Sequence, residues 1–463
     1  MSDQLLAPAS GAPVKLRRVL GLPALVAYGL ASMGILAVFT VYGSATKISD
    51  GHLPAAYIVA VVAMIFTAHS YGKMAQAIPN AGSAYTYTSR AFGRVIGFFT
   101  GWTMLLDYLF LPMINFLLIG LYMNSAFPDI PAWIFTLTSI VLVLGFNILG
   151  VTWVEKMNFV SVGSAMLLAI AFVFLAITNA DNLTPGVIFG GIIPGEGGLS
   201  PIFAGAAVLA LAFLGFDGIS TLSEETRDPQ KNIPRGIMIA TILAGLCFFL
   251  VAWAGSILYP DWTQLLNLDA AGTEMMEKVG GTVMVTAFLV IYIVATVLCG
   301  TAAQMSVSRV LFAMGRDGIL PQAFAKLSAR FRTPIVAAFV VSLFSLIALF
   351  ITLDAAVYMI NFGALVAFAM VNLGVIKYFF FEKGVRGSRG WVQYLLLPLI
   401  GFGFTAWLWT SLAPFTYVLG GAWLLVGVLI YGSRTNWFRS EPPALQFDDN
   451  TPITHVVPVA VER

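Results

Sequence analysis

Two aspartates stand inside long apolar stretches, where an ionised side chain is costly. Asp107 follows Leu105-Leu106, and Asp217 lies in the segment Gly215-Phe216-Asp217-Gly218. A carboxylate at the centre of a membrane-spanning helix costs about 2.5–3.5 kcal/mol on insertion scales, so such residues usually face a cavity and have a function. Either carboxylate could bind a cationic group. Asp107 could instead be a structural partner for a polar group on a neighbouring helix, and Asp217 could carry a proton or cap interrupted backbone.

Glycines interrupt two of the apolar stretches. One reads Tyr28-Gly29-Leu30-Ala31-Ser32-Met33-Gly34-Ile35, and the other reads Ala212-Phe213-Leu214-Gly215-Phe216-Asp217-Gly218. Glycine lowers the cost of unwinding a helix, and an unwound turn exposes amide and carbonyl groups that can hold a polar ligand. The alternative is that these glycines only let helices pack closely.

The candidate ligand-binding residues lie at these interruptions, around Asp107 and in a late apolar helix. Phe213 and Phe216 could offer an aromatic face to a cation or could be ordinary packing. Asn361 could line the same pocket or bond to a neighbouring helix. The full candidate set is Met33, Gly34, Asp107, Tyr108, Phe213, Gly215, Phe216, Asp217 and Asn361.

The elements that position these residues are membrane-spanning helices. The chain has 463 residues, of which 59% are hydrophobic and 10% are charged, against about 25% charged in a soluble domain. A spanning helix needs about 20 mostly apolar residues. Because only helices or closed barrels satisfy backbone groups in lipid, and strand-like alternation is absent, the sequence predicts an all-α polytopic membrane protein. Twelve candidate spans lie at roughly 22–46, 54–78, 95–121, 132–149, 157–178, 201–221, 236–258, 281–304, 335–352, 355–380, 392–411 and 415–432.

The distribution of lysine and arginine predicts the orientation, because these residues are enriched in cytoplasmic loops. With the N-terminus inside, most of them fall on the inner side, while the outer loops are acidic. We therefore expect both termini to be cytoplasmic and the chain to lie in the inner membrane. The inner-side residues include Lys15, Arg17, Arg18, Arg90, Arg94, Arg227, Lys231, Arg235, Arg316, Arg330, Arg332 and Arg439. The outer acids include Asp129, Asp181, Glu196, Asp261, Asp269 and Glu274.

Several functional classes are disfavoured. The formal net charge of +2 does not suggest a nucleic-acid partner. The two cysteines, Cys247 and Cys299, lie in apolar runs without metal-ligand spacing. No nucleophile–base pair, phosphate-binding loop or metal cluster is recognisable, and no soluble domain is large enough to be an enzyme. We expect no enzymatic activity, no cofactor and no bound metal; membrane lipid is the expected solvent.

Three longer motifs resemble one transporter superfamily. They are residues 211–234, which contain Gly215-Phe216-Asp217-Gly218; Pro79-Asn80-Ala81-Gly82-Ser83-Ala84-Tyr85; and residues 308–318, followed by Arg332-Thr333-Pro334. In this order they resemble the amino acid–polyamine–organocation superfamily. The resemblance implies a LeuT-type fold, with two inverted five-helix repeats and two further helices. The corresponding boundaries are an N-terminal tail at 1–18, repeats at 19–200 and 201–390, helices 11 and 12 at 391–432, and a C-terminal tail at 433–463.

Within that superfamily, residues 48–52, 105–115 and 360–368 look most like the putrescine importers. The resemblance implies alternating-access import of putrescine or a related polyamine, with a proton as the expected coupling ion and Asp107 as the counter-ion of the amine. It also has a departure, because Thr40 stands where putrescine importers carry an acid late in helix 1. The first interruption has bulky neighbours at Met33 and Ile35, which argues against a backbone cradle for a carboxylate.

Two other functions remain open from the sequence. One is an amino acid permease or an exchanger of amines and amino acids. The other is a membrane sensor that binds amines without transporting them.

Overall fold

The computed structural model describes residues 18–435 apart from 150, 181, 196, 267, 269–270, 319, 329–332 and 411. Most of the two predicted tails therefore lies outside the described residues. Several charged residues on which the predicted orientation depends also lie outside them, namely Lys15, Arg17, Asp181, Glu196, Asp269, Arg330, Arg332 and Arg439. The described part of the chain is helical, as predicted, and its only extended pairing is a single bridge between Leu20 and Thr226.

Sixteen α-helices follow one another along the described chain. The first eight are α1 (Leu22–Met33), α2 (Ala37–Ile48), α3 (Leu53–Ala77), α4 (Ser83–Phe92), α5 (Arg94–Ala126), α6 (Ala132–Leu149), α7 (Val151–Thr178) and α8 (Pro185–Gly190). The others are α9 (Ser200–Leu209), α10 (Pro229–Leu258), α11 (Ala271–Arg316), α12 (Ile335–Ser345), α13 (Leu353–Val375), α14 (Ser388–Trp391), α15 (Leu397–Thr410) and α16 (Pro414–Arg434).

Each predicted span coincides with helical structure. Within the described residues, ten helices are long and apolar enough to cross a membrane, and the bent pair α1–α2 raises the number to eleven. The remaining predicted span, 335–352, which is the ninth along the chain, corresponds to the shorter apolar helix Ile335–Leu349. The chain is therefore a multi-pass membrane protein.

Two spans are interrupted, at the glycines that the sequence singles out. α1 ends at Met33, and α2 leaves at 46° to it after Gly34, which has φ +65°. The other interrupted span begins with α9, continues as a 3-10 turn to Phe213, and resumes as a 3-10 helix from Asp217 to Glu225. Gly215 has φ +112° at this second interruption. L-residues rarely adopt such φ values, so glycine is favoured at both positions.

The two interruptions contact each other. A Cβ built on Gly215 would lie 2.8 Å from the carbonyl carbon and the Cβ of Ser32. Ser32 lies two residues before Gly34, so the absent side chain of Gly215 lets the two unwound segments meet. Gly215 therefore allows both the unwinding of its own span and the close contact with Ser32 in the other.

Polar contacts join several chain segments at one end of the bundle, which we call the N-terminal face. The backbone of Leu20 bonds to that of Glu225 and Arg227 there. Arg316 in α11 donates to Glu224 at 3.0 Å and to Asn80 at 2.9 Å. Deeper in the same region, buried Arg309 forms an ion pair with buried Glu225. Removal of one partner of a buried ion pair is strongly destabilising, so the pair Arg309–Glu225 fixes α11 against the 3-10 helix that ends at Glu225. Together these contacts close the N-terminal face.

Candidate functional site

A cavity of about 280 Å³ lies beside the two interruptions, on the side away from the N-terminal face. Its walls come from the end of α1, the start of α2, the middle of α5, the α9 span, α11 and α13. Among the candidate residues, Met33, Gly34 and Asn361 line it. None of the described residues that line the cavity is charged.

Asp107 and Asp217 lie outside the lining of this cavity. Asp107 precedes the lining residue Leu111 by one turn of α5, which is about 6 Å along the helix axis. It is therefore one turn nearer the N-terminal face than the cavity floor. Both aspartates have 1% of their surface exposed.

The carboxylate of Asp107 is incompletely paired. Its Oδ1 atom is buried and has no hydrogen-bond partner. Among the ion pairs between described residues, none joins a lysine or arginine to Asp107 or Asp217. Two buried acids without a protein cation form a site that attracts positive charge.

Asp217 differs from Asp107 because it has several donors. Tyr108 donates its hydroxyl to Oδ2 at 2.6 Å, and the backbone N–H of Gly215 donates to Oδ1 at 3.3 Å. Asp217 is the first residue of the 3-10 helix that follows the interruption, so its bond with Gly215 satisfies an N–H of the unwound turn before that helix. Tyr108 follows Asp107 directly in α5, so one stretch of α5 carries both the unpaired acid and the donor to the paired one.

The two candidate phenylalanines are buried in aromatic packing. Phe216 lies edge-on to Tyr71, with ring centroids 5.6 Å apart, and is tilted against Phe368 at 5.2 Å. Phe213 packs against Phe248 at 5.4 Å. Neither phenylalanine lines the cavity. The structure thus separates a cavity layer with Met33, Gly34 and Asn361 from a deeper layer that contains the two aspartates. Phe213 belongs to neither layer, because it faces Phe248 of α10.

Sequence reasoning missed Asn115, which lines the cavity. Its signal was present, because Asp107, Leu111 and Asn115 recur at intervals of four and so share one face of α5. The buried pair Arg309–Glu225 was also missed, because its partners are 84 residues apart in sequence and only the tertiary structure joins them.

We expect Tyr108→Phe to slow uptake about tenfold without loss of folded protein. The substitution removes one donor from buried Asp217, and loss of a hydrogen bond to a charged group costs about 1.5–3 kcal/mol. Initial rates of uptake in proteoliposomes and thermal stability in detergent would measure the two effects. Tyr122→Phe, at a half-buried tyrosine near the far end of α5, is the matched control. Equal rates for Tyr108→Phe and the control would contradict the role of this hydroxyl.

Comparisons with known proteins match this chain over nearly its whole length. The sequence profile of the family described as "Amino acid permease" matches residues 24–438. The chain is 35% identical to the low-affinity putrescine importer PlaP of Escherichia coli (strain K12), over 94% of this chain and 97% of that protein. It is 26% identical to the branched-chain amino acid permease BcaP of Bacillus subtilis (strain 168), over 93% and 96%. It is 27% identical to a methylthioribose transporter of the same organism, over 88% and 92%.

Proposed function

This chain belongs to the amino acid permease family, and we propose that it is a secondary transporter that imports a small organic amine. The observation that carries the proposal is the buried, unpaired Oδ1 atom of Asp107 next to a cavity. A buried charge is stable only with a partner, and the protein supplies no cation there within the described residues. An ammonium group of the cargo is the partner that fits. Likeness to a putrescine importer makes putrescine the first compound to test.

The closed N-terminal face supports alternating access. The cavity lies on the opposite side of the interruptions, so this conformation receives cargo from that side. The distribution of basic residues supports a cytoplasmic position of the N-terminal face, and with this orientation the cargo enters from outside. Release to the inside then requires the contacts of Arg316 with Glu224 and Asn80 to break. We propose that the two inverted repeats, 19–200 and 201–390, supply this movement.

Proton coupling fits the same site. Two neighbouring buried carboxylates disfavour a state in which both are ionised. An amine that occupies Asp107 leaves Asp217 as the acid that takes up or releases a proton. We therefore propose that a proton accompanies the amine and that the protein performs no enzymatic reaction.

An amino acid is the second candidate cargo, because relatives such as BcaP are named as amino acid permeases. Such a cargo needs a partner for its carboxylate. The cavity has no lysine or arginine among its described lining residues. Met33 and Leu36 line the cavity on either side of Gly34, and the N–H of Gly34 already donates to the carbonyl of Ala31. These features favour an amine over an amino acid.

We expect proteoliposomes to accumulate labelled putrescine, and accumulation to rise when the inner compartment is more alkaline than the medium. Excess unlabelled amine should compete, whereas excess neutral amino acids should not. If only amino acids inhibited uptake, the cargo would be an amino acid and not an amine. Binding of amine without uptake would identify a sensor, and uptake that ignores the pH gradient would remove the proton.

A further inference from the structure

The cavity has a charged residue near one end only. One helical turn below its floor, outside the lining, lies the buried carboxylate oxygen of Asp107 that has no hydrogen-bond partner. Its described walls carry no charged side chain, and their polar groups are neutral. These groups belong to Ser32, Thr40, Asn115, Tyr292, Thr296, Cys299 and Asn361. A ligand that extends from Asp107 into the cavity therefore meets a carboxylate at one end and only neutral polar groups at the other.

Most of the wall hydroxyls already donate to their own helices. Thr40 donates to the carbonyl of Ala37 at 2.8 Å, and Thr296 donates to that of Tyr292 at 2.7 Å. Ser32 likewise donates to the carbonyl of its own helix one turn earlier, at 2.9 Å. These bonds leave the hydroxyls without a free donor, so they are weak sites for an anion.

Asn361 is the exception, because its amide oxygen accepts no hydrogen bond. Its side chain lines the cavity, 7% of the residue is exposed, and its Oδ1 atom has no hydrogen-bond partner. A buried acceptor left unpaired costs about 1–3 kcal/mol. A donor from a ligand that reached this oxygen would remove that cost, so Asn361 is the candidate recognition residue in the cavity wall.

Asn361 is also near Asp107 in the fold. A Cβ on Gly363, two residues further along α13, would lie 2.7 Å from the backbone N of Asp107. α13 and α5 therefore touch at this level, with Asn361 displaced toward the cavity. A short aliphatic chain can reach from the carboxylate to the amide, because each methylene step extends it by little more than 1 Å.

We infer that the transporter requires one ammonium group on its cargo, which binds Asp107, and recognises the other end only through a hydrogen bond to the neutral amide oxygen of Asn361. The cargo class is a short aliphatic amine whose second end is a hydroxyl, an amide or a second amine. This inference rests on the proposed function and narrows its specificity.

The physical reason is the neutrality of the acceptor. An ammonium forms a stronger, charge-assisted hydrogen bond to the amide oxygen than a hydroxyl does. It also loses more hydration on entering the cavity, and no second carboxylate compensates it there. The two effects oppose each other, so exchanging the second ammonium for a hydroxyl changes affinity little.

Competition against labelled putrescine by three four-carbon compounds tests this without any mutation. We expect 4-aminobutan-1-ol to inhibit uptake within about threefold of unlabelled putrescine, since the opposed effects leave less than about 1 kcal/mol. Butane-1,4-diol, which lacks an ammonium, should not inhibit. A diamine that inhibits more than about thirtyfold better than the amino alcohol would overturn the inference.

Asn361→Asp gives a second, independent measurement. It replaces the neutral acceptor with a carboxylate of nearly the same shape, so the preference for putrescine over 4-aminobutan-1-ol should rise at least about tenfold, since an ion pair replaces a neutral contact. Asn124→Asp, outside the cavity near the far end of α5, adds the same charge and should leave the ratio as in the wild type.

The outcomes separate the inference from the proposed function. Failure of every amine to compete or accumulate would remove the proposed function itself. Amine uptake with a wild-type ratio near one supports the inference even if Asn361→Asp does not fold. Amine uptake with an unchanged ratio in a folded Asn361→Asp protein would show that Asn361 does not contact the cargo, and would overturn it.

Discussion

Asp107→Asn should reduce amine uptake at least about thirtyfold while folded protein is recovered at the wild-type level. Truncating one partner of a buried hydrogen-bonded charge pair costs about 2–5 kcal/mol, and every 1.4 kcal/mol is about tenfold in affinity. The loss should fall on binding, because the amide keeps the shape of the side chain but not its charge. Initial uptake rates over a range of amine concentrations, with direct binding by calorimetry, would measure it.

The same substitution should not harm the fold. The Oδ1 atom of Asp107 has no partner to lose, and a neutral amide is cheaper to bury than a carboxylate. Thermal stability in detergent is therefore expected to stay level or to rise. Asp129→Asn, an exposed acid beyond the end of α5, is the matched control and should behave as wild type. Unchanged amine uptake by Asp107→Asn would remove the counter-ion role.

Gly215→Ala should strongly destabilise the protein, although it adds only one methyl group. The residue has φ +112°, and the new Cβ would lie 2.8 Å from the backbone of Ser32. Forcing an L-residue into the left-handed region costs about 1–2 kcal/mol, and overpacking costs about 1–3 kcal/mol more. We expect a clear fall in the melting temperature in detergent and loss of most uptake, because the two interruptions can no longer meet.

Gly421→Ala is the control for that substitution. Gly421 lies within α16, has no atoms within 4 Å of a built Cβ and has no positive φ. Alanine is favoured over glycine in a helix by about 1 kcal/mol, so this variant should be as stable as the wild type or more so. If Gly215→Ala melted and transported like Gly421→Ala, close contact between the interruptions would not be needed for transport.

The sequence by itself determined the spans and the places where two of them break. Lipid leaves no other solution for long apolar segments than helices, so composition and length are enough to predict them. The interruptions at Gly34 and Gly215 were also predictable from the sequence, because glycine adopts positive φ values more readily than other residues do. The burial of Asp107 followed from its position in an apolar run, and Asn115 could have been found from the four-residue spacing in α5.

Only the tertiary structure decided which of these residues share a space. The cavity is lined by Met33, Gly34 and Asn361 but by neither aspartate. The donor to Asp217 comes from a residue 109 positions earlier in the chain. Such pairings depend on distances between helices, whereas the sequence pattern reports only which face of each helix is apolar. That is why the candidate residues were recognisable from the sequence and their arrangement in two layers was not.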